Sequence, residues 1–147
     1  DKGQVPEEEY FIPIGKAEIK KQGSDVTVVS FGKILKEVFL ASEKLESENI
    51  SLEIIDLRTV RPLDIETIIA SVKKTNRLVI LEEAWPFGNV STEISYQVQN
   101  QALDFLDAPI IKINTADTPT PYSPVLLKEW LPNHNDVIKA VNKVLYK

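Results

Sequence analysis

The chain has 147 residues, 43% hydrophobic and 27% charged, with a net charge of -5, which is the composition of one globular domain large enough to bury its own core and excludes disordered and fibrous classes. Cysteine is absent and there is one histidine, so disulfide frameworks, thiolate catalysis, cysteine-ligated metal centres and multi-histidine metal sites are excluded. The 17 Lys and Arg residues are scattered among 22 acidic ones, which argues against phosphate-backbone binding to nucleic acid, and no apolar run approaches the ~20 residues of a membrane span.

Residues 1–13 are acidic and carry Pro6 and Pro13, as expected of a linker arriving from a missing upstream domain. The start, without an initial methionine, reads as neither signal nor transit peptide but as a segment of something longer. Lys16 to Lys20 alternates polar with apolar, and Gln22-Gly23-Ser24 can turn it into the apolar run Asp25 to Phe31. That pair is expected to form a hairpin at a sheet edge. Ile34, Leu35, Val38, Phe39, Ala41, Ser42 and Leu45 recur at helical spacing, which predicts an amphipathic helix over 34–47.

Strand Leu52 to Ile55 then runs into the loop Asp56-Leu57-Arg58-Thr59-Val60-Arg61-Pro62-Leu63-Asp64. Asp56 can pair with Arg58 and Arg61 with Asp64, while Asp64 is placed to cap the helix predicted over Ile65 to Lys74. A strand over Arg77 to Leu81, a helix over Ser91 to Leu103 and a strand over Ile110 to Asn114 follow. Pro119, Pro121 and Pro124 predict an extended segment. Asp136 is expected to cap the closing helix, whose inner face carries Val137, Ile138, Val141, Val144 and Leu145. Strand and helix alternating in this way predict a three-layer α/β sandwich, a mostly parallel five-stranded sheet with one antiparallel edge strand and helices on both faces.

In such a sheet the strand carboxyl ends share one edge, where ligands and partners collect. Gly32-Lys33, Asp56 to Arg58, Glu82-Glu83-Ala84-Trp85-Pro86 and Asn114 to Asp117 should gather there. Glu82 and Glu83 form an acid/base pair only if burial raises one pKa, and neighbours leaving a strand point to opposite faces, within reach of Arg58 or Arg61. Gly32-Lys33 before a helix can hold an anion but lacks the spacing of a P-loop. Trp85, Phe87 and Tyr122 serve equally as interface anchors or as lids over the core. His134, in a polar turn without an evident carboxylate partner, reads as a solvated imidazole. No nucleophile or metal set accompanies these residues, so the chemistry is expected elsewhere.

Five ordered segments carry a resemblance: Asp56 to Asp64, Val72 to Leu78, Glu82 to Pro86, Phe105-Leu-Asp-Ala-Pro109 and Ala116-Asp-Thr-Pro-Thr-Pro-Tyr122. From about Ile12 onward the chain resembles the C-terminal domain of the E1 beta subunit of thiamine diphosphate-dependent 2-oxoacid dehydrogenases, pyruvate dehydrogenase most closely. More widely it is similar to the transketolase C-terminal domain. The resemblance implies a parent that decarboxylates pyruvate on thiamine diphosphate and Mg and passes the acetyl unit to lipoyl groups of E2. It implies that the cofactor lies outside this chain, that no catalytic residue is carried by it, and that the fragment alone is inactive. Implied partners are the E1 alpha subunit, a second beta subunit and the basic subunit-binding domain of E2.

Two docking groups follow from the resemblance, Asp107 and the terminal carboxylate on Lys147. The other reading of Asp107 is a cap on the turn before the last strand. Asp56, Arg58, Arg61, Asp64, Glu82, Glu83, Trp85, Asp117 and Tyr122 are the motif or interface candidates. The chain departs from the family at Asn89, Ser91 and Thr115, where glycine is usual, and the ammonium of Lys147 stands beside the docking carboxylate. The implied location is the bacterial cytoplasm, or the mitochondrial matrix in a eukaryote. A branched-chain 2-oxoacid or acetoin dehydrogenase beta subunit and a stand-alone anion-binding module are the alternatives.

Overall fold

All five residues of the strand Val26–Ser30 are buried, and that strand organises the fold. The computed structural model describes residues 6–147, so the first five positions of the expected linker lie outside the described residues. Residues 6–14 are exposed and belong to no helix or strand. Five strands follow: β1 Glu18–Lys21, β2 Val26–Ser30, β3 Leu52–Asp56, β4 Leu78–Leu81 and β5 Ile111–Ile113. The helices are α1 Leu35–Glu46, preceded by a 3-10 turn, then α2 Ile65–Thr75, α3 Val90–Ala102, α4 Pro124–Trp130 and α5 His134–Val144.

The sheet order is β1-β3-β2-β4-β5. The pairs β2/β3, β2/β4 and β4/β5 are parallel and β1/β3 is antiparallel, which is the expected mostly parallel sheet with one antiparallel edge. The helices cover both faces: α1 packs with α5 and α2 with α3. One core joins Val26, Val28, Leu52, Ile54, Val79 and Leu81 to Val38, Leu45, Val137 and Val141; the other joins Val29, Ile55 and Ile80 to Ile68, Val72, Ile94 and Val98.

The expected hairpin does not form. β1 pairs with β3, with Glu18 opposite Asp56 and Ile19 opposite Ile55, because both edges of β2 are taken by parallel partners. A strand with polar residues on its half-exposed surface belongs at an edge, and the free edge is that of β3. To get there the chain passes Gly23 against the backbone of Leu52 and Glu53; a Cβ on Gly23 would lie 2.2 Å from the Leu52 carbonyl carbon. Glu53, 1% exposed within β3, accepts from the Gly23 amide at 3.3 Å and pairs with Lys74, so its buried charge is satisfied.

Two other expectations are corrected. Residues after Pro119 do not stay extended, because Pro124 occupies the first turn of α4, where its missing N–H is no loss. The cap of α5 is Asn133, not Asp136; Asp136 sits three residues on and its carboxylate accepts from the Asn133 amide, closing a capping box. Gly23→Ala is expected to destabilise the domain by about 1–3 kcal/mol, since the added methyl meets backbone that cannot move independently of β3; urea unfolding at neutral pH measures it, and a loss within error would mean the crossing is loosely packed.

Candidate functional site

The loop after β3 is held by its own charges, though not in the expected pairs. Arg58, at φ 57°, gives its backbone amide to Asp56 at 3.1 Å and its guanidinium to Glu18 on β1. Hydrogen bonding from Lys20, helped by the nearby Lys20 and Arg58 charges, holds the half-buried Glu18 carboxyl below its ordinary value and outweighs the desolvation of its site. Asp64 does cap α2, accepting from the Thr67 amide at 3.4 Å and the Thr67 hydroxyl at 2.9 Å. Its remaining partner is not Arg61: Oδ2 accepts from the Ala17 amide at 3.1 Å and lies 3.9 Å from Lys16. Thr59 accepts from Gly15 at 3.0 Å, so the loop pins the segment entering β1.

The carboxyl ends of β2, β3, β4 and β5 do share one edge, with Ser30 in register with Asp56 and with Leu81, and Leu81 with Ile113. There Glu82 and Glu83 separate as neighbours leaving a strand should. Glu83 is exposed. Glu82 is fully buried and meets neither arginine; its Oε1 accepts from the Ser91 amide at 3.0 Å and from Asn114 Nδ2 at 3.1 Å. The two carboxylates therefore do not form a shared-proton pair. Trp85 and Trp130 both donate their indole N–H to the Thr118 carbonyl, at 3.0 and 3.1 Å, which ties the loop holding Asp117 to the β4 end. Phe87 and Tyr122 project from it, 91% and 103% exposed.

Asp107 and Lys147 lie at the other end of the sheet, before β5 and after α5. The Asp107 carboxylate is 3.3 Å from Arg77 and 56% exposed. Its amide donates to the Asn76 carbonyl at 2.9 Å, and its carbonyl accepts from the Tyr146 hydroxyl at 3.0 Å. Arg77 also donates to the Val144 carbonyl at 3.1 Å, so the chain terminus and Asp107 are held together. Neither Arg77 nor Tyr146 is conspicuous in the sequence; each is a charged or aromatic residue flanking an apolar element. His134 is not merely solvated: its backbone amide and Nδ1 lie 3.0 and 3.1 Å from Glu37 Oε2 and its Nε2 lies 2.8 Å from Lys44 Nζ. Glu37 is 97 positions away, a distance no local pattern reveals.

A parallel sheet of this order, with one antiparallel edge and an aromatic, acidic carboxyl end, defines a domain of the transketolase C-terminal class. The chain belongs to that family, "Transketolase, C-terminal domain", which it matches over residues 15–137. It is 49% identical over 145 residues to the pyruvate dehydrogenase E1 component subunit beta of Rhizobium meliloti, covering 98% of this chain and 32% of that protein. It is 42% identical over 142 residues to the subunit of the same name from Bacillus subtilis, covering 97% and 43%. Among solved structures it is similar to "Split gene transketolase, inactive beta4 tetramer", with a TM-score of 0.82 and 26% identity over 92% of this chain and 44% of that one. The chain thus spans less than half the length of these relatives.

Asp64 yields a prediction with a sign. Burial raises its pKa, and the Ala17 and Thr67 hydrogen bonds with Lys16 outweigh that and leave it below the ordinary value. A depressed carboxylate stabilises the fold fully above its unfolded pKa of about 3.9, and that stabilisation is lost as pH falls toward the folded value. Asp64→Ala is expected to cost about 1–2 kcal/mol at pH 7, with the gap to wild type narrowing below about pH 4. Chemical denaturation at both pH values checks it, and a gap that widens in acid contradicts the assignment.

Proposed function

We propose that this chain is the assembly and E2-docking domain of the beta subunit of a pyruvate dehydrogenase E1 component. The observation that carries the reading is the 42–49% identity to subunits of that name along nearly the whole chain. The parent oxidatively decarboxylates pyruvate on thiamine diphosphate with Mg and transfers the acetyl group to lipoyl groups of E2. Among the described residues no three His, Cys, Asp or Glu side chains gather as a metal site, and no step of that chemistry is assigned to this domain. Its proposed partners are the E1 alpha subunit, a second beta subunit and the subunit-binding domain of E2. The relatives named above are bacterial, and the cytoplasm is the proposed location of the parent.

Docking is assigned to the end of the sheet that holds Asp107 and the segment after α5 that runs to Lys147. The exposed Asp107 carboxylate attracts a basic domain at long range, and the Arg77 cation beside it tempers that field. Asp107 is half exposed, so its contribution is to encounter and register more than to burial. With intact parent enzyme, Asp107→Ala is expected to weaken binding of the basic E2 domain and to flatten its dependence on salt, because an exposed charge acts within a Debye length of about 8–10 Å. Isothermal titration at low and physiological salt tests this; unchanged low-salt affinity removes Asp107 from the docking surface. Turnover of pyruvate by the reconstituted parent in preference to branched-chain 2-oxoacids tests the substrate, and the reverse preference assigns the parent to the branched-chain enzymes.

A further inference from the structure

The chain changes direction across the sheet at β2, with β3 on one side and β4 on the other, and open α/β sheets leave a crevice outside the strand ends at such a point. Here the crevice is a groove of about 550 Å³. Phe31, Val60, Trp85 and Phe87 supply apolar and aromatic walls, and its charged lining residues are all acidic: Glu82, Glu83 and Glu93.

Glu82 makes this more than an acidic patch. It lines the groove while fully buried. Its Oε1 is occupied by Ser91 and Asn114, whereas Oε2 is buried and has no hydrogen-bond donor among the described residues. A carboxylate oxygen accepts two donors, and leaving it without any costs about 1–3 kcal/mol or more. Lys112 donates to the Pro86 carbonyl at 3.1 Å and to Thr92 at 2.6 Å, and Arg58 pairs with Glu18, so neither of these cations answers Glu82. Among the described residues Glu93 meets only the neutral Gln97 amide, at 2.6 Å.

We propose that this groove receives an arginine side chain presented by a neighbouring polypeptide of the assembly, its guanidinium stacking on the aromatic walls beside Glu83 and Glu93 and donating to Glu82 Oε2 as the side chains covering that oxygen part to admit it. The inference rests on the multi-chain reading above. A guanidinium is planar, weakly hydrated and multiply donating, and it stacks on indole and phenyl faces, whereas an ammonium is a strongly hydrated point charge that resists entering an apolar groove. The acidic lining also disfavours the anion read from Gly32-Lys33. A macromolecular source fits better than a free ligand because the groove walls Trp85 and Phe87 and, in the segment tied to them through Thr118, Tyr122 and Val125 are 53%, 91%, 103% and 73% exposed, and large apolar side chains left exposed in number are covered by other chains.

The test is arginine labelling with phenylglyoxal on the full-length parent, purified with its partner chains and read by peptide mass spectrometry. Glu82→Gln keeps the acceptor for Ser91 and Asn114 but turns a donor toward the guanidinium; Glu93→Gln alters only the exposed rim and serves should the buried variant fail to fold. One arginine outside these 147 residues, protected in the wild-type assembly, is expected to react about tenfold faster in Glu82→Gln, equivalent to about 1.4 kcal/mol of lost contact, and measurably faster in Glu93→Gln. An intact assembly in which no such arginine changes its rate overturns the inference alone. A full-length chain that copurifies with no second polypeptide overturns the proposed function and the inference with it.

Discussion

The parallel ladders joining Val26–Ser30 to β3 and β4 leave no edge of that strand free and no side chain of it in water. Of its two polar residues, Thr27 shares hydrogen bonds with Ser71 at 2.7 Å and Thr75 at 2.6 Å, as burial requires, while the Ser30 hydroxyl is buried without a partner among the described residues. Parallel neighbours need crossovers, and the crossovers are the helices that cover both faces. From that follow the displacement of β1 to the far side of β3 and the collection of four strand ends at one edge. It also follows that any docking residue placed before β5 stands at the opposite end.

The two ends differ in chemistry. At the carboxyl end a buried carboxylate, two indoles tied to one carbonyl and several exposed aromatic side chains border a groove. At the amino end Arg77 holds both Asp107 and the Val144 carbonyl, with Tyr146 closing the cluster. The first surface is shaped for desolvated, geometric contact and the second for exposed, salt-sensitive contact. Under the proposed function, two partners would engage without competing for one surface.

Much of the fold is legible in the sequence because it rests on periodicity, and periodicity is local. The apolar runs of β2, β3 and β4, the spacing along α1 and the Asp64 cap all declare themselves within a few residues. Strand partnership does not. Lys16 to Lys20 and Asp25 to Phe31 have the spacing of a hairpin, and only the demand of β3 and β4 for both edges of β2 overrides it. The Glu37 contact of His134 and the Arg77 contact of Asp107 join distant segments, so neither is written in any motif. The cap of α5 is not legible for a different reason: Asn133 and Asp136 are both good capping residues, and which one is the cap depends on the backbone turn at Asn133.

Charge density proves a poor guide to where a site lies. The nine residues from Asp56 to Asp64 hold four charges, yet three of them, Asp56, Arg58 and Asp64, are spent on the loop itself, on β1 and on the start of α2. The loop positions an edge strand. Glu82, by contrast, is one carboxylate in an apolar setting and would pass as a core anomaly, but its second oxygen is buried without a donor at the point where the sheet reverses. A group already satisfied within its own domain has little left to offer a partner, while an unsatisfied one gains most from a donor arriving from outside. By that criterion the proposed contact belongs to the groove beside β4, while Asp56, Arg58 and Asp64 have their partners within the domain.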